Sequence, residues 1–162
     1  MNEKAQRGAF GYMQEKGVTD FVGVPDSTLK HFIDEGLKRE KILISTREEE
    51  AIGIAAGISM SGGTPLVFMQ NAGLANSIST ITSLVKMYRI PVILLIGWRG
   101  YLRDDAPEHR TVGRIQQRLL RLAGVPYKIM TEDNWRERCD WALHYVRYKR
   151  PCALVVRRMF HD

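Results

Sequence analysis

Short apolar runs rich in β-branched residues alternate along the chain with longer segments whose apolar residues recur at helical spacing. The short runs predict six strands, at residues 19–25, 41–46, 65–70, 90–98, 125–130 and 151–157. The longer segments predict helices at residues 2–17, 27–40, 46–57, 73–88, 111–124 and 132–149. Ser27 is a possible N-cap for the second helix, because its hydroxyl can accept a hydrogen bond from the first turn.

This alternation predicts a parallel sheet, because parallel neighbours need crossover connections and these place helices on both faces. The run VILLI at residues 92–96 is apolar at every position, as a central strand buried on both faces should be. We find no internal repeat, low-complexity tract or linker. The predicted fold class is therefore α/β, with residues 1–162 forming a single three-layer domain around a six-stranded parallel sheet.

Four of the predicted strands are followed by polar or glycine-bearing loops. The loops read GVPDS at residues 23–27, TREEE at 46–50, QNAGLAN at 70–76 and GWRGYLRDDAPEH at 97–109. In open α/β sheets, ligands bind beyond the carboxyl ends of the strands. We therefore expect these four loops to form one binding edge.

Composition and charge exclude several classes of protein. Hydrophobic residues make up 44% and charged residues 26% of the chain, as in ordinary globular domains. The sequence contains no apolar run of transmembrane length and no leader, so we expect a cytoplasmic protein without a membrane partner. The net charge of +6 comes from dispersed basic residues without a nucleic-acid-binding signature. A general attraction to small anions, including anionic substrates, explains the charge better than nucleic acid does.

Common cofactor and catalytic motifs are missing. No GxGxxG follows a strand, and the sequence has neither a P-loop, a GxSxG elbow nor a His/Glu zinc motif. Cys139 and Cys152 match no metal-ligand or redox spacing, so we expect buried free thiols and no metal site in this chain.

The segment TREEEAIGIAAG at residues 46–57 sends three glutamates into an alanine- and glycine-rich helix. Two interpretations compete for Glu48, the first of the three. A carboxylate in the first turn favours the positive end of the helix dipole and needs no function. A carboxylate at a packed, water-poor seam can instead handle a proton, with a raised pKa.

The loops after the first and third strands also allow two interpretations. In QNAGLAN, Gly73 lets a ligand or another backbone approach closely, while Asn71 and Asn76 offer amide hydrogen bonds. The alternative is that Asn71 simply caps the next helix. In GVPDS, Pro25 and Asp26 could form a turn and a helix cap without any function.

The loop after the fourth strand is long for an α/β connection and dense in charge. Arg99 and Arg103 have the fork geometry to hold a carboxylate, sulfonate or phosphonate. His109 is the only histidine beyond a predicted strand end. The alternative is a solvated surface loop.

Taken together, these stretches resemble a known family. TREEEAIGIAAG is similar to the E-x-x-A-x-x-x-A-x-G pattern of the pyrimidine-binding domain of thiamine-diphosphate enzymes, with Glu48 on the glutamate of the pattern. GVPDSTLK, MQNAGLANSISTITSL and LLIGWRGYLRDDAPEH resemble a narrower group, the sulfopyruvate and phosphonopyruvate decarboxylases. The motifs run from about residue 21 to 114. Three stretches depart from the usual forms of that group: PDS, QNAGLAN and DDAPEH. These departures leave the domain assignment unchanged and affect only the choice of substrate.

The resemblance implies roles for individual residues. Glu48 would contact N1′ of the cofactor's aminopyrimidine and activate it, which calls for burial and an acid-leaning pKa. The implied catalytic residues are Glu48 and His109, and the other implied contacts with the cofactor are Pro25, Asn71, Gly73, Leu74 and Asn76. The implied substrate contacts are Asp26, Ser27, Arg99 and Arg103.

The resemblance also implies a partner. The family's diphosphate-binding half carries a G-D-G and a later paired Asn, which bind Mg²⁺ and the diphosphate, and neither occurs here. We therefore expect an α subunit that is active with a diphosphate-binding β subunit in a hetero-oligomer. The implied activity is decarboxylation of 3-sulfopyruvate, a small anionic 2-oxo acid, to sulfoacetaldehyde. The alternatives are a phosphonopyruvate decarboxylase subunit that yields phosphonoacetaldehyde, or a non-catalytic protein that binds a small anion or a partner.

Overall fold

The computed structural model describes residues 1–102 and 105–157. This part of the chain contains seven α-helices and six strands. The strands are β1 Asp20–Gly23, β2 Ile42–Ile44, β3 Pro65–Gln70, β4 Ile93–Trp98, β5 Tyr127–Met130 and β6 Cys152–Arg157. The helices are α1 Glu3–Glu15, α2 Lys30–Lys38, α3 Glu48–Met60, α4 Asn71–Asn76, α5 Ile78–Thr80, α6 Pro107–Leu122 and α7 Trp135–Arg147.

The six strands form one sheet in the order β2-β1-β3-β4-β6-β5, and every pair of neighbours is parallel. β3 and β4, at the centre, are buried along almost their whole length. The predicted three-layer α/β fold with a six-stranded parallel sheet is confirmed.

Two apolar layers cover the sheet, one on each face. Phe10, Phe32 and Leu143, from α1, α2 and α7, share one layer. Ile52, Leu74 and Leu120, from α3, α4 and α6, belong to the other. The domain thus has a helix layer on each side of the sheet, as the crossovers require.

Several helix starts differ from the prediction by a few residues, and two of these differences have a clear local cause. Ser27 does not cap a helix; Asp26 does so, because its carboxylate accepts a hydrogen bond from the amide of Thr28 and opens a 3₁₀ turn, Ser27–Leu29, before α2. α6 begins at Pro107 rather than at residue 111, since the fixed φ of proline suits the first helical position.

The helix predicted at residues 73–88 is divided. α4 is followed by the short α5 and then by a π-helical segment, Ile81–Lys86. The hydroxyls of Thr82 and Ser83 donate to backbone carbonyls of the preceding turn. Such bonds compete with regular helical bonding, which explains why a polar, hydroxyl-rich stretch does not continue as one α-helix.

Candidate functional site

At the carboxyl edge of the sheet, the strand order reverses direction between β1 and β3, which opens a crevice there. β1 lies between β2 and β3, so the chain leaves β1 toward one side of the sheet and leaves β3 toward the other. This is the topological switch point at which α/β sheets bind ligands. The segments that follow β1, β2, β3 and β4 meet at this edge, and all four were predicted to do so.

Glu48 opens α3 beside this crevice. Its side chain reaches the start of α4, where a Cβ added to Gly73 would lie 2.5 Å from Cδ of Glu48. Glycine at position 73 is therefore what leaves room for the carboxylate. Within residues 1–102 and 105–157, the carboxylate of Glu48 makes no hydrogen bond or ion pair. It is free to interact with an incoming group.

The neighbouring glutamates are engaged elsewhere. Glu49 lies 3.7 Å from the guanidinium of Arg47. Glu50 accepts hydrogen bonds from the amide and hydroxyl of Thr46, at 2.9 and 2.8 Å, and the bond from the hydroxyl lowers the pKa of Glu50. These contacts close the first turn of α3. Of the three glutamates, Glu48 is the one directed at Gly73.

Glu48 is partly exposed rather than buried. Glu48 is the first residue of α3 and stands at the edge of the sheet, where little of the described chain covers it. The opposite face of α3 is also uncovered, because Gly53 and Gly57 are exposed and a Cβ on either would meet nothing within 4 Å. The burial implied by the resemblance is therefore not supplied by the described part of this chain.

Asn71 connects the start of α4 to the end of β4. It is fully buried, and its side-chain amide donates to the carbonyl of Arg99 at 2.8 Å. The alternative that Asn71 caps its own helix is wrong, since its side chain makes no capping bond. Its Oδ1 is buried and has no partner among the described residues.

Asp26 joins the ends of three strands. Its carboxylate accepts hydrogen bonds from the amide of Thr28 and from Nε2 of Gln70, both at 3.1 Å. It also packs against Gly97 of β4, where any side chain would displace it. Asp26 is 5% exposed, so the turn expected from GVPDS also buries a carboxylate at the centre of the edge.

Arg99 is paired with Asp105, a residue that the sequence did not single out. Nε and Nη2 of Arg99 donate to the carboxylate, the latter at 2.6 Å, and the amides of Gly100 and Ala106 donate to it at 2.6 and 2.9 Å. The Asp105 side chain is 1% exposed, and its bond from Arg99 holds the pKa of its carboxyl far below the usual range. The positive charge of Arg99 is therefore largely balanced within the loop.

The same guanidinium reaches the loop after β1. Nη1 of Arg99 donates to the hydroxyl of Ser27 at 3.1 Å. Ser27 itself is exposed. Arg99 thus ties together the loops after β1, β3 and β4, through Ser27, Asn71 and Asp105.

The remaining candidate residues lie as follows. Gly73 and Leu74 are buried, whereas Pro25 and Asn76 are exposed. His109 lies in the first turn of α6 rather than in a loop, and its carbonyl packs against Gly100. Arg103 lies outside the described residues.

The cysteines, the possible metal ligands and the length of the helices bear on other functions. Cys139 and Cys152 are free and buried, and burial raises the pKa of Cys139 to about 12. Within residues 1–102 and 105–157, no three His, Cys, Asp or Glu side chains are placed to hold a metal ion. None of the helices in that part of the chain has the length and hydropathy to cross a bilayer.

Comparison with known proteins identifies this architecture. Residues 4–120 match the family described as "Thiamine pyrophosphate enzyme, N-terminal TPP binding domain". The chain belongs to this family. The resemblance of TREEEAIGIAAG to the pyrimidine-binding domain of thiamine-diphosphate enzymes is confirmed.

Known proteins match the sequence of this chain over most of its length. The sulfopyruvate decarboxylase subunit alpha of Methanocaldococcus jannaschii is 31% identical over 158 residues, which cover 94% of this chain and 93% of that protein. The protein of the same name from Methanococcus maripaludis is 33% identical over 76% of this chain and 75% of the relative. The phosphonopyruvate decarboxylase of Streptomyces viridochromogenes is 35% identical over 72% of this chain, but the match covers only 30% of that enzyme.

Proposed function

We propose that this chain is the pyrimidine-binding subunit of a thiamine-diphosphate-dependent decarboxylase that converts 3-sulfopyruvate to sulfoacetaldehyde and CO₂. The observation that carries the proposal is the carboxylate of Glu48, held against Gly73 at the sheet edge and without a partner in the described residues. A carboxylate in that position, in a chain of this family, suits a role in cofactor activation.

Glu48 would bind N1′ of the aminopyrimidine and share a proton with it, the work of a positioned acid–base group. The bound cofactor supplies the electron sink for loss of CO₂ from a 2-oxo acid. Gly73 and Leu74 would flank the pyrimidine. Asn71 would hold the start of α4 in place through its bond to the Arg99 carbonyl.

A diphosphate-binding partner chain would cover α3. Each helical glycine costs roughly 1 kcal/mol relative to alanine, yet nothing in the described chain packs against Gly53 or Gly57. Beside them, the apolar surface continues through Ile58, Leu43 and Ile44, the last two exposed by 50% and 46% on the edge strand β2. Close approach of a second chain to the glycines would use this surface. The same chain would bury Glu48 where it also covers the start of α3 at the sheet edge. That chain would supply the Mg²⁺ and diphosphate contacts.

The substrate would lie at the tied loops, with Asp26, Ser27 and Arg99 as its contacts. The hydroxyl of Ser27 and the remaining N–H groups of Arg99 would bind the retained anion. His109, in the first turn of α6, would serve as a hydrogen-bond donor or proton relay near the carbonyl, and Arg103 as a second cation.

Sulfopyruvate is favoured over phosphonopyruvate because the two sulfopyruvate decarboxylase relatives are separate α subunits matched over most of their length. A phosphonopyruvate decarboxylase is the second candidate, on the strength of the 35% identity to the Streptomyces enzyme. A cytoplasmic location is part of the proposal and agrees with two unpaired cysteines.

Reconstitution tests the proposal. The full chain is mixed with a purified chain of the family's diphosphate-binding half, thiamine diphosphate and Mg²⁺, and CO₂ release is followed with 3-sulfopyruvate, phosphonopyruvate and pyruvate. We expect the mixture to prefer 3-sulfopyruvate and the isolated chain to be inactive. Tight cofactor binding and turnover by the isolated chain would rule out the subunit assignment, and a preference for phosphonopyruvate would replace the substrate.

A further inference from the structure

A groove rich in positive charge lies at the amino edge of the sheet, opposite the candidate site. It is lined by four cations, Lys86, Arg89, Lys149 and Arg150, and has a volume of about 350 Å³. Lys86 ends the π-helical segment, and Arg89, Lys149 and Arg150 stand in the turns that lead into β4 and β6. The groove therefore shares no residue with the loops that follow β1, β2, β3 and β4.

The four charges are not balanced by carboxylates. No Asp or Glu lines the groove, and none of the four cations forms an ion pair within residues 1–102 and 105–157. Lys86 does have a partner, because its Nζ donates to the carbonyl of Gly124 just after α6.

Helix dipoles account for part of this charge and not for all of it. α6, α7 and the π-helical segment Ile81–Lys86 all end beside the groove, and a helix C-terminus carries roughly half a negative charge. Three such ends offset roughly one and a half of the four positive charges. The groove keeps a net positive potential that attracts anions.

The backbone gives a second, independent indication. Arg89 and Lys149 have φ of 53° and 55°, in the left-handed region that favours glycine. Only three non-glycine residues of the described chain adopt positive φ, and two of them line this groove. Both follow helical segments, at positions where glycine is the usual residue. Long cationic side chains stand where local conformation alone favours glycine.

We propose that this groove binds a small polyvalent phosphoryl anion, such as a diphosphate group. Several converging Lys and Arg side chains suit the several negative oxygens of such a group, with arginine able to bind two of them at once. Tyr145 lines the groove beside these cations. The inference does not depend on the proposed function, because the groove is remote from the catalytic edge.

Thermal unfolding of the full chain tests the groove, with sodium pyrophosphate as the probe and sodium chloride holding the ionic strength constant. Binding to the folded state alone raises the midpoint by mass action, and near saturation we expect a rise of about 5 °C. The variant Arg89→Gln/Lys149→Gln should lose this response. The matched control Lys30→Gln/Lys38→Gln removes two exposed charges from α2 and should keep it.

Lys149→Gly guards against a variant that merely unfolds. Glycine has no Cβ penalty at positive φ, so without pyrophosphate this variant should be at least as stable as the parent. It should nevertheless respond more weakly to pyrophosphate. The proposal is overturned by the absence of a rise in the parent, or by an equal rise in the parent and both groove variants. An equal response to citrate would overturn the phosphoryl class.

Discussion

Replacing Gly73 with alanine tests whether Glu48 needs the space that the glycine leaves. The new Cβ would lie 2.5 Å from Cδ of Glu48 and closer still to Cγ, far inside van der Waals contact. The glutamate is the flexible partner, so its carboxylate should swing away from the crevice. The backbone of α4 should change little.

Stability and activity should respond very differently to Gly73→Ala. Alanine gains roughly 1 kcal/mol of helix propensity, and overpacking costs about 1–3 kcal/mol, so the net loss of stability should be about 0–2 kcal/mol. The activity of the reconstituted complex should fall on the order of 10²-fold, equivalent to about 2.7 kcal/mol in the barrier. Urea unfolding of the chain and steady-state kinetics of the complex measure the two effects.

A double-variant cycle shows whether the loss acts through Glu48. In the Glu48→Gln background, Gly73→Ala should cause little further loss of kcat, because the group that it displaces is already disabled. Gly8→Ala is the matched control, since its Cβ would meet the Trp135 ring at 3.1 Å, in α1 and far from the crevice. It should change stability by no more than about 2 kcal/mol in either direction and leave kcat unchanged. Fully additive losses for Gly73→Ala and Glu48→Gln would refute the reasoning.

Three further predictions concern single residues of the edge. Glu48→Gln should lower the activity of the complex on the order of 10²-fold while assembly stays intact. Glu49→Gln and Glu50→Gln should be nearly neutral in the same assay, and a larger loss at either would show that the motif is aligned wrongly. Arg99→Ala should lower kcat/KM for 3-sulfopyruvate more than for pyruvate, because it removes a charge-assisted contact worth roughly 1.5–3 kcal/mol. Equal losses for the two substrates in steady-state kinetics would assign Arg99 to structure alone. Asp105→Asn should destabilise the chain by roughly 1.5–3 kcal/mol in urea unfolding at neutral pH. The folded-state pKa of Asp105 is depressed, so its contribution to stability is complete above the unfolded pKa of about 3.9 and is lost as pH falls further. The difference in stability between Asp105→Asn and the parent should therefore be constant between about pH 5 and 8 and shrink in acid.

The fold could be predicted because local patterns determine it. Apolar β-branched runs alternating with helical periodicity allow few arrangements other than a covered parallel sheet, and PLVFMQ was placed at the bounds observed for β3. Local signals did not give the break after Asn76 or the start of α6 at Pro107. The π-helical segment Ile81–Lys86, which follows this break, carries hydroxyl–carbonyl bonds within one turn that the apolar spacing does not reveal.

The location of the site could be predicted from the sequence, whereas the contacts between its side chains could not. Strand ends of a parallel sheet must meet at one edge, so the four loops could be assigned to it from sequence. Which carboxylate pairs with Arg99 depends on how the loop folds back, and Asp105 is six residues further along the chain. The available signal was an acidic residue two positions before Pro107, where a helix was about to begin.

The pairing of Arg99 with Asp105 also bears on which anion the proposed site would accept. An arginine without a counterion favours the ligand with more negative charge, and near neutral pH a phosphonate carries more than a sulfonate. Here Asp105 already balances Arg99, and the buried carboxylate of Asp26 adds a second negative charge close to the same guanidinium. Among Ser27, Arg99 and Asp26, the second negative charge of a phosphonate group would therefore meet repulsion without a matching cation, so a phosphonate would depend on Arg103. The contacts that remain, the Ser27 hydroxyl and the outer N–H groups of Arg99, suit a singly charged oxyanion, which supports the proposed preference for the sulfonate.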